Sequence, residues 1–119
     1  MSESAKKKTS PLLELAINYF ERNGYHVERE NTALEGFSGV LWKFDLIVQK
    51  GKTAHGVWVK EWSKTIGINT IINIDKASED VRLANPIIVG EKFSDHAKAY
   101  ANRRKILLLT KRQLSPKLR

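Results

Sequence analysis

Residues 36–62 read GFSGVLWKFDLIVQKGKTAHGVWVKEW, and the fold turns on how this stretch pairs with itself. Two runs rich in β-branched and aromatic residues flank Lys50-Gly51-Lys52-Thr53, where Gly51 suits the first central position of a type II′ hairpin turn. Pairing Lys50 with Thr53 and counting outward places Asp45 opposite Trp58 and Lys43 opposite Lys60. Opposed residues share a face and diagonal neighbours lie about 7–8 Å apart, so Asp45, Trp58 and Lys60 cluster on one solvent-accessible face. Alternation puts Trp42, Phe44, Leu46, Val48, Val57 and Val59 on the other face, read as a core. Leu41, Lys43, Asp45, Ile47 and Gln49 fall on the first face. A slip of one residue would exchange the two sets.

On the N-terminal side, Ser10-Pro11 supplies an N-cap followed by proline at the first helical position. Leu12, Leu13, Ala16, Ile17 and Phe20 then form a wide apolar helix face, and Gly24 ends the helix. Residues 25–30 alternate as a short strand, and residues 31–39 read as a loop. On the C-terminal side, residues 63–69 form a loop. Residues 70–83 carry Ile71, Ile74, Ala77 and Val81 at helical spacing. Residues 86–89 are a short buried strand. Ser94 caps a helix to about Arg103, residues 105–110 are another buried strand, and a helical turn follows. Strands alternating with helices predict an α/β sandwich with a mixed sheet. No repeat is visible.

A chain of 119 residues predicts one domain, here residues 10–112, with a flexible basic arm over 1–9 and a basic tail over 113–119. The arm's Lys6, Lys7 and Lys8 are candidate phosphate contacts or a merely solvated terminus. With no cysteine, disulfides and thiolate metal sites are excluded. No apolar run approaches the ~20 residues of a membrane span, and the first ten residues lack a signal peptide's apolar segment. The expectation is a cytoplasmic protein with no membrane partner. Twenty-one Lys and Arg against thirteen Asp and Glu give a net charge of +8, which makes nucleic acid the natural polyanionic partner, against the plainer reading of general surface charge for solubility.

An acid and a lysine on adjacent strands suit phosphodiester hydrolysis, in which carboxylates hold a metal and lysine positions water or stabilises charge. The same pair is also what an ordinary surface ion pair looks like, worth under about 1 kcal/mol. His26, His55 and His96 show no metal-ligand spacing, no phosphate-cradling glycine motif is present, and Ser38 and Ser63 have no base partner.

The helix LLELAINYFERNGYHV, the GFSG loop followed by FDLIV, the VWVKEW strand and PIIVGEKFSDHAKAYANRRKILLLT occur in an order that resembles one family. It is the Mrr-like and archaeal Holliday-junction-resolvase-like branch of the PD-(D/E)xK nucleases, matched over roughly residues 11–110. The resemblance implies a restriction-endonuclease-like three-layer sandwich, a central mixed sheet flanked by helices. It implies that Asp45 is the metal-binding aspartate and that Lys60 is the lysine of the (D/E)xK element. Phe44 replaces the proline of the superfamily's name. The position two before the lysine, acidic in the family, is Trp58 here.

Tryptophan does not coordinate a metal, and alternation sends Glu61 to the opposite face from Lys60. Glu14 on the first helix is the implied substitute metal ligand beside Asp45, with Asp75, Glu79 and Asp80 as further acids.

Three functions compete. The leading one is a nucleic-acid-binding protein, for DNA above all, with a nuclease-like fold and a degenerate site. Its contacts would be Lys43, Trp58, Trp62, Lys64, Arg103, Arg104, Lys111 and Arg112, with Lys60. For the two tryptophans the competing reading is packing, in the core or at a dimer interface, and it is stronger for Trp42 than for Trp58. The second function is a Mg²⁺-dependent endonuclease using Asp45, Lys60 and Glu14 as catalytic residues. The third is a non-catalytic protein-interaction subunit. Family members often pair, so a homodimer is expected.

Overall fold

The computed structural model describes residues 10–116, so the 1–9 arm and the end of the basic tail lie outside the described residues. Helix α1 spans Pro11–Arg22. Ser10 Oγ accepts the Leu13 N–H at 3.0 Å, and a second free donor of the first turn, Leu12 N–H, reaches Glu61 at 3.1 Å. Gly24 leaves the helix at φ +85°, a region a side chain would resist.

Strands β1 (His26–Glu35), β2 (Leu41–Lys50) and β3 (Thr53–Val59) follow. Helix α2 (Ile68–Asp80), β4 (Ala84–Gly90), α3 (Asp95–Arg104), β5 (Leu107–Thr110) and the short α4 (Lys111–Leu114) complete the order. Ser94 caps α3 as its position predicts, accepting the Ala97 N–H at 3.0 Å. The strands form one sheet in chain order. β1, β2 and β3 pair antiparallel, while β4 and β5 join parallel, which gives the expected mixed sheet. The hairpin has the expected register from Lys50↔Thr53 to Leu46↔Val57, with Gly51 at φ +63° and Lys52 outside the positive-φ residues, as a type II′ turn needs. The ladder ends before the expected Asp45–Trp58 and Lys43–Lys60 pairs.

Helices cover both faces of the sheet. Against α1 and α4 lie Leu46, Val48, Val57, Ile87, Val89 and Leu109. Against α2 and α3 lie Phe44, Ile47, Trp58 and Ile88, with Trp42 partly buried beside them. This corrects the single apolar face read from alternation: Trp42 and Phe44 belong with Trp58, on the side opposite Leu46 and Val48. The Trp58 face is accordingly a second core rather than a solvent-accessible surface.

The cause is a split in the sheet. The β2–β3 ladder stops at Leu46↔Val57, while β2 continues to Leu41 paired only with β1. At the split Asn31 takes φ +48°, and neither it nor Asp45 belongs to the β1–β2 register. The distal ribbon then leaves the sheet and lies along α2, where the Phe37 N–H donates to the Asp80 carbonyl at 3.0 Å. Phe44 swings into the space above Gly56, where any Cβ would collide with its ring. Its ring centre sits 4.5 Å from that of Trp58. Because the departing β2 needs a partner, β1 extends through residues 31–35, which the sequence pattern alone assigns to a loop.

Candidate nucleic-acid interface

Asp45 stands at the split. Its Oδ2 accepts the Val59 N–H at 2.7 Å, replacing the ladder bond that β2 no longer supplies. A buried backbone donor left unpaired costs about 1–3 kcal/mol, so this carboxylate stabilises the fork whatever else it does. Among the described residues Asp45 and Lys60 form no ion pair.

Trp58, one step beyond the last ladder pair, is only 7% exposed. Its indole N–H donates to the Lys43 carbonyl at 2.9 Å, tying β3 to the departing ribbon. The packing reading therefore holds more strongly for Trp58 than for the half-buried Trp42, the reverse of the sequence expectation. Trp42 donates its indole N–H to Asp80 at 2.7 Å. Trp62 is the open one, 37% exposed, with the Lys60 and Lys64 ammonium groups 5.2 and 5.5 Å from its ring centre.

The residues do not fit a divalent ion. Asp45 is taken up by the Val59 N–H, Trp58 before that residue on β3 is an indole, and no group of three His, Asp or Glu among the described residues is placed to hold a metal. Most acids that could substitute are engaged elsewhere. Glu61 caps α1. Asp75 is buried and accepts from Tyr100 Oη at 2.9 Å and Arg104 Nε at 2.8 Å, while Glu79 accepts from Arg104 Nη2 at 3.0 Å. Asp80 accepts from Ser38 Oγ at 2.6 Å and from Trp42. Glu14 is exposed on α1, away from the buried stripe of Leu12, Ala16 and Phe20.

These contacts set the electrostatics. Hydrogen bonds from Ser38 and then Trp42 hold the Asp80 carboxyl below its ordinary value. Burial, followed by the bond to Asp75, pushes the Tyr100 phenol up. The Asp75 hydrogen bond raises Arg104 further and keeps it charged.

The fold divides the candidate basic residues. β3, β4 and β5 run parallel, so Lys60 and Lys64 after β3 and Lys111 and Arg112 after β5 share their carboxyl end. Two strand spacings, about 10 Å, separate these pairs. Exposed Lys43 sits on the ribbon beside Trp58. Arg103 and Arg104 end α3 and lie at the opposite edge, where Asn85 at the start of β4 donates to the Lys105 carbonyl at 2.7 Å. Arg104 is moreover engaged by Asp75 and Glu79.

A cleft of about 280 Å³ opens between the fork and α2, lined by Trp42, Trp58, Lys60, Trp62, Thr70, Asn73, Ile74 and Ala77. Thr70 and Asn73 were not singled out from the sequence. The signal was present, since Thr70, Asn73 and Ala77 recur at helical spacing along one stripe of α2 beside the buried Ile74. No helix among the described residues is long and apolar enough to cross a membrane.

Two solved structures share this architecture. A crystallised protein of unknown function, AF1548, superposes with TM-score 0.73 at 19% identity, covering 81% of this chain and 54% of that one. EndoMS in complex with double-stranded DNA superposes with TM-score 0.53 at 14% identity, covering 98% and 49%. The chain thus spans about half the length of each. No curated protein matches its sequence. The restriction endonuclease family model Mrr_cat matches residues 8–117. On that match, which runs nearly the whole length, the chain belongs to the Mrr-type restriction endonuclease family.

Proposed function

We propose that this domain binds nucleic acid, DNA above all, through the carboxyl end of its parallel strands and does not cleave it. The observation that carries this reading is Trp58, an indole packed on Phe44 and bonded to Lys43 where a second carboxylate would complete a metal site. Lys60, Lys64, Lys111 and Arg112 supply the phosphate contacts, and Lys43 extends them along the ribbon. Asp45 acts as the backbone acceptor that holds the fork. The duplex held by EndoMS is the ligand class adopted here, and the charge surplus supports it.

The test is duplex DNA binding in EDTA as salt rises from 50 to 200 mM, with cleavage assays in Mg²⁺ and Mn²⁺ alongside. Affinity should fall steeply with salt, by a slope of about 0.9 per neutralised phosphate. Wild-type protein should leave linear, branched and single-stranded substrates intact, and Mn²⁺ should not raise its melting temperature. In Trp58→Glu, which puts an acid two residues before Lys60, Mn²⁺ should raise it. Metal-dependent nicking that disappears in Asp45→Asn and Lys60→Ala would sink this reading and restore an Mg²⁺-dependent endonuclease, with Glu14 as the acid to test next.

One observation favours a second reading, a subunit contact that includes homodimerisation. The tip between β1 and β2 exposes Phe37 (73%) and Leu41 (67%), although Asp80 holds its backbone through Ser38 and Phe37. Sedimentation of the wild type beside Phe37→Ser with Leu41→Ser tests it: a dimer that the changes dissolve supports self-association.

A further inference from the structure

The fork cleft has a composition that neither the family assignment nor a phosphate-binding end explains. We infer that it receives a single unstacked base of a bound nucleic-acid strand, an inference that rests on the nucleic-acid reading above. Its walls are indoles: Trp42 and Trp58 to the inside and Trp62 at the mouth.

The inner two have their N–H groups committed, to Asp80 and to the Lys43 carbonyl, so what they offer an occupant is aromatic surface. The exposed Asn73 amide and the Thr70 hydroxyl line the same space, and neither side chain bonds another described residue. These are groups that read the edge of a flat heterocycle. At about 280 Å³ the cleft lies at or below the small end of ordinary ligand sites, roughly 300–1,000 Å³, which suits one ring system rather than a large cofactor.

Charge decides between occupants. An aromatic enclosure also suits a quaternary ammonium group, but no carboxylate lines this one and Lys60 does. The complementary ligand is a neutral aromatic ring carrying an anionic link, which is a base with its phosphates. Lys60 and Lys64 flank Trp62 and can follow the backbone on either side of an extruded nucleotide. Lys111 and Arg112, just past the second strand over from β3, take more distant phosphates, which favours a strand over a free nucleotide.

Fluorescence anisotropy in EDTA at fixed salt tests this with three labelled duplexes: fully paired, bearing one bulged nucleotide, and bearing one bulged abasic residue. The two bulged duplexes have the same charge and length, so their affinity ratio isolates the base. Wild type should prefer the bulged base over the abasic bulge on the order of tenfold. Trp62→Ala should bring that ratio close to one, with partial recovery in Trp62→Phe. Asn73→Ala should lower it less.

Both Trp62 and Asn73 are exposed, so these variants should fold, which thermal melting checks. Arg103→Ala, at the far edge, should leave all three affinities unchanged. Equal wild-type affinity for the two bulges, or a ratio unaltered by Trp62→Ala, overturns the inference while duplex binding still stands. Displacement of the bulged duplex by millimolar nucleoside monophosphate also overturns it, in favour of a free nucleotide. If none of the duplexes binds at low salt, the nucleic-acid reading itself falls and takes this one with it.

Discussion

The two faces of the sheet are built by different rules. Against α1 and α4 the packing is mostly aliphatic and the alternation unbroken: Leu46, Val48, Val57, Val89 and Leu109 meet Leu12, Ala16, Phe20 and Leu114. Against α2 and α3 stand the exceptions: a glycine that makes room for a neighbour's ring, a ladder that stops early, a carboxylate serving as a backbone acceptor, three tryptophans and the buried Asp75. Departures from local rules cluster where a fold carries its site. The α1 face follows the plain packing rule, and the α2 face gathers the departures from it.

The largest effect is expected on the α1 side. Leu46→Ala, at a fully buried position, should cost about 2–5 kcal/mol in urea unfolding. Below the melting transition it should leave the salt slope of DNA binding unaltered. A changed slope would mean that the two faces are not separable.

On the α2 side, Gly56→Ala forces Phe44 out of its place and should cost about 1–3 kcal/mol. It should also perturb the near-ultraviolet circular dichroism of the Phe44–Trp58 pair, because the strain falls on aromatic neighbours. A similar loss of about 1–3 kcal/mol is expected for Asp45→Ala, which strands the Val59 N–H, whereas Asp45→Asn keeps an oxygen acceptor and should recover most of it. If both variants melt with the wild type, Asp45 is not holding the fork, and a purely chemical role regains ground.

Lys60→Ala with Lys64→Ala should leave stability within about 0.5 kcal/mol and lower the salt slope by about 0.9 for each phosphate no longer neutralised. Arg103→Ala should not. Equal effects from both ends of the sheet would dissolve the division between the two groups of basic residues.

The smallest effect concerns Asp80. Ser38 and Trp42 hold its carboxyl below the ordinary value of 3.8, so its stabilising contribution is complete above that pH and is lost as pH falls through the lowered folded value. Asp80→Asn should therefore be less stable than wild type at pH 7, with the gap closing as the pH drops below about 3.8. A gap that widens on acidification would contradict the assignment.

Much of the fold is legible in the sequence. The Ser10 and Ser94 caps, the Gly24 exit, the Gly51 turn and the helix–strand order depend on residues within a few positions of one another, and each stands where local chemistry puts it. The register follows from the turn as far as Leu46↔Val57. Beyond it the expected facing of Asp45 and Trp58 gives way to the fork, where Asp45 accepts the Val59 N–H and Trp58 bonds the Lys43 carbonyl.

What stays hidden in the sequence depends on partners far away in the chain. Strict alternation puts Phe44 with Leu46, because nothing local announces that Gly56 leaves a vacancy on the other side. The fates of the candidate acids are equally concealed: Asp75 answers to Arg104, Asp80 to Ser38 and Trp42, and Glu61 to the first turn of α1. The basic residues read as one set, yet the parallel strands carry Lys60 and Lys111 to one end while Arg104 stays at the other. The elements, their caps and the hairpin's register are thus written in the chain's local order, since the energies that fix them act within a turn or a tight loop. Which face each aromatic joins and which charges stay free were settled by folding, because those choices rest on contacts between residues tens of positions apart.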